Sequence, residues 1–346
     1  MILVAFGTRP EIIKLFPVIN ALKGRDLPLK TLFTGQHLDL YEDVRQLIPD
    51  PDHRFDIYSD VNGNMTLGES FAKICHATER LLSEHTFSCV VVQGDTTTAW
   101  ALAQMAFFNN VRVAHVEAGL RTHDLHNPFP EELNRTLISQ VASFNFAPTK
   151  LAYDNLLRSG AKNVYLVGNT VVDAVNKFKK KLPTPPANPS KVLVTLHRRE
   201  NHNIMAELFD EIQAIATKLP QLEFIFPIHP NPNVIRHKHR LVSQNIRVVK
   251  PVGYFEMLQL INESKFIISD SGGIQEEATC LNKKILIVRE TTERQETIDV
   301  GLGKLVGENI RSALEWALAP PPKQHKLPYG AGDSAENIAQ LLAKHL

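Results

Sequence analysis

The sequence is poor in the features that mark disulfide-rich, zinc-binding and membrane proteins. Its 346 residues include only three cysteines, Cys75, Cys89 and Cys280, and no two of them have a C-x-x-C spacing. This excludes a disulfide framework and a zinc ribbon. We expect Cys89, at the start of an apolar run, to be a buried free thiol, and such thiols fit a reducing cytoplasm. No segment approaches the roughly 18 continuous apolar residues of a membrane span.

The charges show no excess of either sign. There are 38 lysines and arginines against 37 aspartates and glutamates, which argues against nucleic acid or an anionic membrane as a partner. Hydrophobic residues make up 43% and charged residues 22%, as in a globular chain. The 17 glycines and 21 prolines exclude collagen-like and low-complexity classes. At about 150 residues per domain, the length predicts two domains.

Several motifs of cofactor and metal chemistry are also absent. No G-x-G-x-x-G follows an apolar run, and there is no Walker loop or H-E-x-x-H. We interpret the H-x-x-H pair His123 and His126 as solvated loop histidines rather than metal ligands. The sequence therefore predicts no cofactor and no metal site.

Short apolar runs alternate with longer segments of helical periodicity. Runs that are apolar at every position predict strands buried on both faces, which form a parallel sheet covered by helices. The runs in the first half lie at 1–6, 29–33, 89–92, 111–116 and 164–167. Those in the second half lie at 191–196, 222–226, 246–252, 266–269 and 285–288. The alternation predicts repeated strand–helix–strand units.

A lysine- and proline-rich stretch at 176–190 separates the two series of runs and predicts a linker. We therefore predict an α/β fold with two Rossmann-like, doubly wound domains, at 1–175 and 191–332, and a cleft between them. A proline-rich segment and a loop precede the last helical stretch. We expect that helix, at 333–346, to pack back on the first domain.

Polar clusters follow the apolar runs directly, and ligands of open parallel sheets bind beyond the carboxyl ends of the strands. In the first half these clusters supply Asp95, Glu117 and Glu131 as candidates for acid–base work. Carboxylates in a closing cleft can have their pKa values pushed apart, so that one is ionised and one protonated. For Asp95 and Glu131, the alternative is helix capping or a place in the first turn of a helix.

Three cations of the first half, Arg9, Lys14 and Arg135, are candidates to offset a substrate phosphate. The alternative is ordinary ion pairing with the same carboxylates. In the second half, 271–273 reads Ser-Gly-Gly and joins a predicted strand to a helix start, where unpaired N–H groups and the helix dipole favour an anion. A tight turn with Ser271 as helix cap is compatible with that prediction.

The candidate residues lie within a series of ten short motifs that is typical of one protein family. The motifs occur in the order GTRPEIIKL, TGQH, QGDTTTA, HVEAGLRT, PFPEELNR, VGNTVVD, HRREN, HPNPNV, DSGGIQEEA and RETTERQET. With these motifs the sequence closely resembles the non-hydrolysing UDP-N-acetylglucosamine 2-epimerases over nearly its whole length. The hydrolysing relatives lack this form of the first loop, so GTRPEIIK favours the non-hydrolysing group.

The resemblance implies a GT-B architecture and a UDP-sugar substrate. It implies interconversion of UDP-N-acetylglucosamine and UDP-N-acetylmannosamine at sugar C2. UDP leaves as a proton is lost from C2, which gives 2-acetamidoglucal, and UDP then re-adds while C2 is reprotonated on the other face. No nicotinamide or metal takes part. We also expect a cytoplasmic homodimer.

The resemblance assigns roles by motif position. It implies a catalytic group made up of Asp95, Glu117, Glu131, His197, Lys14 and Arg135. It implies a site for the substrate and its UDP made up of Arg9, Phe255, Ser271, Gly272, Gly273 and Glu277. Within it, the 271–273 segment would hold the diphosphate, Glu277 the ribose and Phe255 the uracil. Which carboxylate is the base and which the acid stays open.

Many bacterial members bind a second substrate molecule as an activator. By resemblance, this site would use Gln36, His37, Arg198 and His229. The pattern leads us to expect glutamine and arginine where Asp39 and Asn64 stand, and we therefore predict weak or absent activation.

Three other functions remain open from the sequence. The first is a GT-B glycosyltransferase with a UDP-sugar donor, which would need an acceptor. The second is a 2-epimerase of a modified UDP-sugar such as a diacetamido uronate. The third is a catalytically silent nucleotide-sugar binding protein, against which the intact set of carboxylates argues.

Overall fold

The structure is a computed structural model, and it describes residues 1–35, 44, 47–48, 50–57, 65–323 and 327–346. The chain folds into two compact units. The first is formed by Met1–Asn176 together with Tyr329–Leu346, and the second by Lys177–Pro328. Each unit is built around its own parallel sheet.

The first unit contains a seven-stranded parallel sheet in the order β3-β2-β1-β4-β5-β6-β7. The strands are β1 Ile2–Phe6, β2 Leu29–Phe33, β3 His53–Arg54, β4 Cys89–Gln93, β5 Arg112–Val116, β6 Phe144–Ala147 and β7 Val164–Leu166. The five strands predicted from apolar runs are confirmed. The sequence patterns did not identify β3 and β6, because β3 is a polar two-residue edge strand and the buried Asn145 interrupts the apolar run of β6.

Helices cover this sheet. They are α1 Arg9–Gly24, α2 Leu67–Glu84, α3 Thr97–Phe108, α4 Glu131–Val141, α5 Lys150–Arg158 and α6 Thr170–Lys179. Threonine side chains cap three of the helix starts and accept hydrogen bonds from backbone N–H groups: Thr66 before α2, Thr96 before α3 and Thr149 before α5. Such caps satisfy donors that would otherwise lack an intrahelical partner.

The second unit contains a six-stranded parallel sheet in the order β10-β9-β8-β11-β12-β13. Its strands are β8 Lys191–Thr195, β9 Glu223–Pro227, β10 Ile246–Val249, β11 Ser264–Ser269, β12 Ile285–Ile287 and β13 Gly303–Leu305. Its helices are α7 Met205–Lys218, α8 Pro232–Ile235, α9 Tyr254–Glu263, α10 Gly272–Cys280, α11 Gln295–Asp299 and α12 Leu314–Leu318. The short strand β13, which begins with glycine, was not predicted.

The last helix, α13 Ser334–His345, belongs to the first unit and packs against α1. Its buried face consists of Ala335, Ile338, Ala339 and Leu342, at the spacing of one helical stripe. Polar contacts fix its two ends: Ala335 N donates to Asp173 Oδ1 (3.1 Å), and Arg112 Nη1 donates to the carbonyl oxygen of His345 (2.5 Å). The chain therefore returns to its first unit after completing the second.

In each sheet, the order in which successive strands are added reverses once. β1 lies between β2 and β4, and β8 lies between β9 and β11, so successive strands are added on one side and then on the other. The loops that leave two such neighbouring strands diverge to opposite faces of the sheet, which leaves a crevice at their carboxyl ends. This topology selects the loops after β1 and β4 in the first unit and those after β8 and β11 in the second.

Cys75, Cys89 and Cys280 are free thiols, and Cys89 is buried as expected. In the described part of the chain, no helix combines the length and the apolar character that crossing a bilayer requires.

Candidate active site

Glu117 follows β5 in a sharp turn and pairs with Lys14 of α1. Its backbone has φ +64, and Gly119 two residues later has φ +94, both in the left-handed region. A side chain on Gly119 would collide with the carbonyl oxygen of Ala152, so the turn requires glycine. Lys14 Nζ donates to Glu117 Oε2, and both side chains are almost fully buried, at 6% and 5% exposed. Burying two opposite charges together is tolerable because each neutralises the other.

Asp95 follows β4 and pairs with Arg135 of α4. Arg135 Nη2 lies 2.5 Å from Asp95 Oδ2, and Asn134 Nδ2 donates to the backbone carbonyl of Asp95 at 2.9 Å. Arg135 is buried while the Asp95 side chain is 25% exposed, so one carboxylate reaches solvent and its cation does not. For Lys14 and Arg135, the structure shows ion pairing with the predicted carboxylates.

The two capping alternatives have different outcomes. Asp95 does not cap α3, because Thr96 is the cap residue and its Oγ1 accepts a hydrogen bond from Ala99 N (3.0 Å). Glu131 is the first residue of α4, where the helix dipole favours a negative charge. Arg9 is likewise the first residue of α1 and is partly exposed.

Glu132, which sequence reasoning did not single out, has a structural place beside Glu131. It is 1% exposed, and its two carboxylate oxygens accept hydrogen bonds from the backbone N–H groups of Thr122 and His123, both at 3.0 Å. It also lies 3.4 Å from Arg135 Nη1. Because Glu131 and Glu132 are adjacent in the PFPEELNR motif, the sequence does not indicate which of the two is buried.

Glu11 and His115 were also missed, and each is buried next to the predicted carboxylates. Glu11 in the first turn of α1 is 1% exposed and bonds to the hydroxyl of Thr96. His115 in β5 donates from Nε2 to the carbonyl oxygen of Gly94 (2.7 Å). Burial lowers the pKa of His115 to about 4, so the ring is neutral at pH 7.

In the second unit, Asp270 organises the loop after β8. Asp270 is fully buried and accepts hydrogen bonds from His197 N, Arg198 N (both 2.9 Å) and Asn201 Nδ2 (3.0 Å). His197 Nδ1 lies 3.4 Å from Asp270 Oδ1. Burial lowers the pKa of His197, and the charge of Asp270 opposes that change. The rings of His197 and His229 stack with centroids 5.3 Å apart.

The 271–273 segment lies where predicted, between β11 and the start of α10. Ser271 occupies the cap position, but its side chain makes no capping hydrogen bond. The two glycines differ. A Cβ on Gly272 would come within 2.5 Å of Arg294 Nη1, whereas one on Gly273 would meet nothing within 4 Å. The helix start is therefore open beside Gly273 and closed by Arg294 beside Gly272.

Arg294 is held by two buried carboxylates. Its Nε donates to Glu276 Oε1 at 2.8 Å, and its Nη1 donates to Glu293. Glu293 in turn accepts from Arg289 Nη1 (3.0 Å). Directly after Arg294, Gln295 begins α11, and its side-chain Nε2 donates to Asp299 Oδ1 one turn on (3.1 Å).

The remaining predicted UDP residues lie on helices of the second unit. Glu277 is buried in α10, and Phe255 in the first turn of α9 is 37% exposed with its ring 6.0 Å from that of Phe178. Of the predicted activator residues, Arg198 donates its backbone N–H to Asp270, and His229 stacks on His197. Gln36 and His37 lie outside the described residues, as do Asp39 and Asn64.

Comparison with known proteins gives one consistent result. Residues 20–343 match the protein family described as UDP-N-acetylglucosamine 2-epimerase. A UDP-N-acetylglucosamine 2-epimerase of Campylobacter jejuni is 36% identical over 375 aligned positions, covering 99% of this chain and 97% of the relative.

The chain belongs to the UDP-N-acetylglucosamine 2-epimerase family.

Solved structures agree with membership of the epimerase family. The crystal structure of UDP-GlcNAc 2-epimerase from Neisseria meningitidis bound to UDP-GlcNAc has a TM-score of 0.91 and 36% identity, covering 99% of this chain and all of that one. A glycosyltransferase from Streptomyces nogalater reaches a TM-score of 0.53 at 15% identity, covering 99% of this chain and 98% of its own. That likeness concerns the fold alone, and it agrees with the GT-B architecture predicted from the sequence.

Proposed function

We propose that this member of the epimerase family interconverts UDP-N-acetylglucosamine and UDP-N-acetylmannosamine at sugar C2 without hydrolysis. The observation that carries the proposal is the pair of carboxylate–cation contacts, Glu117 with Lys14 and Asp95 with Arg135, on loops that leave neighbouring strands β4 and β5. Together with the family match, these contacts support a site for proton transfer.

Epimerisation at C2 needs a proton removed from one face of the sugar and another delivered to the opposite face. Two separate acid–base groups meet this need better than one. Glu117 is buried and paired, whereas Asp95 is partly exposed and paired, so the two carboxylates stand in different environments. We assign proton transfer to these two groups. Glu131, at the start of α4, is the third carboxylate of the proposed catalytic group.

The reaction we propose proceeds by elimination and addition. Loss of the C2 proton and cleavage of the bond from the anomeric carbon to UDP give 2-acetamidoglucal and UDP. UDP then re-adds to the anomeric carbon while C2 receives a proton on the other face. Charge develops on the leaving diphosphate, and hydrogen-bond donors directed at that charge stabilise the transition state.

We assign most contacts with the UDP moiety to residues of the second unit. Backbone N–H groups at 272–273 would bind the diphosphate, since the helix start is open beside Gly273. Glu277 would accept hydrogen bonds from the ribose hydroxyls, and the partly exposed ring of Phe255 would stack on the uracil. His197 would contribute a polar group to the sugar, and Arg9 would neutralise phosphate charge.

Incubation with UDP-N-acetylglucosamine in deuterated water, with no acceptor, tests this function. NMR should show deuterium at sugar C2 and a mixture of gluco and manno UDP-sugars at equilibrium. A glycosyltransferase or a silent binding protein would give no exchange, and a hydrolysing enzyme would give free sugar as the main product. Exchange with a diacetamido uronate UDP-sugar alone would assign the chain to the modified substrate.

We also propose that the enzyme works as a cytoplasmic homodimer and needs no metal or cofactor. The three free thiols fit a reducing compartment. The exposed aromatic pair Phe107 and Phe108 at the end of α3, 54% and 62% exposed, supports association with a second copy. Sedimentation velocity should give the mass of a dimer. Cell fractionation should recover the protein in the cytoplasmic fraction and not in the membrane fraction. A monomer at micromolar concentration would contradict the first statement.

A further inference from the structure

Asp95 is held through the residues on either side of it. On one side, Gly94 N donates to the carbonyl oxygen of Val116 (3.0 Å), and His115 Nε2 donates to the carbonyl oxygen of Gly94 (2.7 Å). On the other side, Thr96 Oγ1 donates to Glu11 Oε1 at 2.8 Å. The loop after β4 is therefore tied to β5 and to α1.

Glu11 makes more contacts than a helix cap needs. Its Oε2 accepts three hydrogen bonds from its own loop, from Gly7 N (3.0 Å), Thr8 N (2.7 Å) and Thr8 Oγ1 (2.7 Å). These local bonds suffice to fix the start of α1. The fourth bond, which Oε1 accepts from Thr96 Oγ1, joins residues 85 positions apart and reaches beyond that start.

Thr96 contacts α3 as well as Glu11. Its hydroxyl hydrogen is directed at Glu11, and its oxygen accepts the hydrogen bond of Ala99 N at 3.0 Å. The side chain thus connects the first turn of α1 to the first turn of α3. Because Thr96 follows Asp95 directly, a shift of Thr96 would carry the Asp95 backbone with it.

The same turn of α1 also contacts the second carboxylate. Glu11 and Lys14 are three residues apart, so their side chains project from one face of the helix. Lys14 pairs with Glu117, and Glu11 bonds beside Asp95. One helical turn therefore contacts both carboxylates to which we assign proton transfer, Glu117 directly and Asp95 through Thr96.

The geometry points to Glu11 as a positioning residue that holds Asp95 in its reactive place through Thr96. The inference rests on the proposed epimerase function and adds to it a residue that contacts neither sugar nor UDP. A displacement of about 1 Å at a reacting group costs on the order of 100-fold in rate, so loss of this contact should be visible in kcat.

Three single variants test the contact. Thr96→Val keeps the size of the side chain and removes the hydroxyl, whereas Thr96→Ser keeps the hydroxyl. Thr149→Val is the matched control, because Thr149 Oγ1 caps α5 by accepting from Ala152 N (3.2 Å), and α5 is a different helix of the same unit from the one that follows Asp95. It loses a helix cap of the same chemistry.

We expect Thr96→Val to lower kcat by about 10- to 100-fold with KM for the UDP-sugar within about twofold of the wild type. Thr96→Ser and Thr149→Val should keep kcat within about threefold. Combining Glu11→Gln with Thr96→Val should cost less than the product of the two single losses, because both act on one contact. A kcat of Thr96→Val equal to that of Thr149→Val would overturn the inference.

Amide hydrogen exchange supplies a readout that does not depend on activity. Peptides covering residues 94–98 should exchange faster in Thr96→Val, and also in Glu11→Gln, which leaves the Thr96 cap of α3 in place, than in the wild type and in Thr149→Val. Unchanged exchange there would overturn the positioning role. If the wild type fails to incorporate deuterium at sugar C2, the proposed function fails, and the amide exchange still decides whether Glu11 and Thr96 hold the loop.

Discussion

Asp95 and Glu117 each have a basic partner, and removing either carboxylate should separate chemistry from binding. We predict that Asp95→Asn and Glu117→Gln lower kcat by about 10²–10⁴-fold, the usual contribution of a general acid or base. UDP affinity, measured by calorimetry, should change little, because neither carboxylate is among the residues to which we assign UDP.

Ser271→Tyr is the opposite control for that pair. Its bulk at the start of α10 should weaken UDP binding while both carboxylates remain. Loss of UDP binding in Asp95→Asn, with the fold intact by circular dichroism, would show that our assignment of roles is wrong.

His115 makes stability depend on pH. Its pKa is about 4 in the folded protein against 6.5 ordinarily, because burial disfavours the charged ring. The unfolded state therefore binds more protons between these values, and stability is lost as pH falls from 6.5 towards 4. For this one group, the expected loss between pH 7 and pH 5 is about 2 kcal/mol.

Urea unfolding of the wild type and of His115→Phe at pH 7 and pH 5 measures this effect. Other histidines titrate in both proteins, so the difference between the two pH responses isolates His115. The variant should lose about 2 kcal/mol less than the wild type on acidification. Equal losses would indicate that the folded His115 accepts a proton as easily as the unfolded one.

At the scale of elements, the start of α10 offers a matched pair of glycines. A methyl group on Gly272 would displace Arg294 from Glu276 and Glu293, both buried. We predict that Gly272→Ala lowers the free energy of unfolding by roughly 1–3 kcal/mol, the cost of leaving buried polar groups without partners.

Gly273→Ala should have the opposite sign. Nothing lies within 4 Å of the added carbon, and alanine favours a helix over glycine by up to about 1 kcal/mol. Thermal unfolding of the two variants compares them directly. A Gly272→Ala protein as stable as Gly273→Ala would show that Arg294 moves aside at no cost.

The helix α13 gives a second test at this scale. Leu342 is fully buried against the first unit, and Leu342→Ala should cost about 2–5 kcal/mol of unfolding free energy. Since α13 packs on α1, amide exchange should increase in the first unit and stay unchanged within Lys177–Pro328. Exposed Leu327, at 62% exposure, supplies the control, because Leu327→Ala should be neutral.

At the scale of the whole molecule, the sequence makes a prediction about regulation. Asp39 and Asn64 stand where the family resemblance leads us to expect a glutamine and an arginine that hold an activating UDP-sugar. The carboxylate of Asp39 would repel a diphosphate, and loss of one charge-assisted hydrogen bond costs about 1.5–3 kcal/mol, or roughly tenfold or more in affinity. We therefore predict weak or absent activation and near-hyperbolic kinetics.

The reverse reaction from purified UDP-N-acetylmannosamine is the measurement. The enzyme should start at its full rate, whereas an activator-dependent enzyme would show a lag until the gluco sugar is added. A lag abolished by traces of UDP-N-acetylglucosamine would show that Gln36, His37, Arg198 and His229 suffice for activation.

The sequence alone determined the fold class and the family. Strands buried on both faces must be apolar at nearly every position. The apolar runs of the sequence therefore predicted β1, β4 and β8 without any tertiary information. The polar clusters after those strands were readable for the same reason, because apolar runs end abruptly there. Strand β6 was not predicted, because it tolerates a buried asparagine whose amide bonds to a distant carbonyl oxygen, that of Lys162.

Only the tertiary structure decided which side chains pair. Lys14 and Glu117 are 103 positions apart, and Arg135 and Asp95 are 40 apart, so no local pattern distinguishes these partners from the other charges nearby. In the sequence, Glu11 has no feature that distinguishes it from other glutamates in the first turn of a helix. Its contact with the loop after β4 exists because the strand order places β4 next to β1. Local chemistry fixes which residue types end a strand, whereas strand order fixes which of those ends become neighbours.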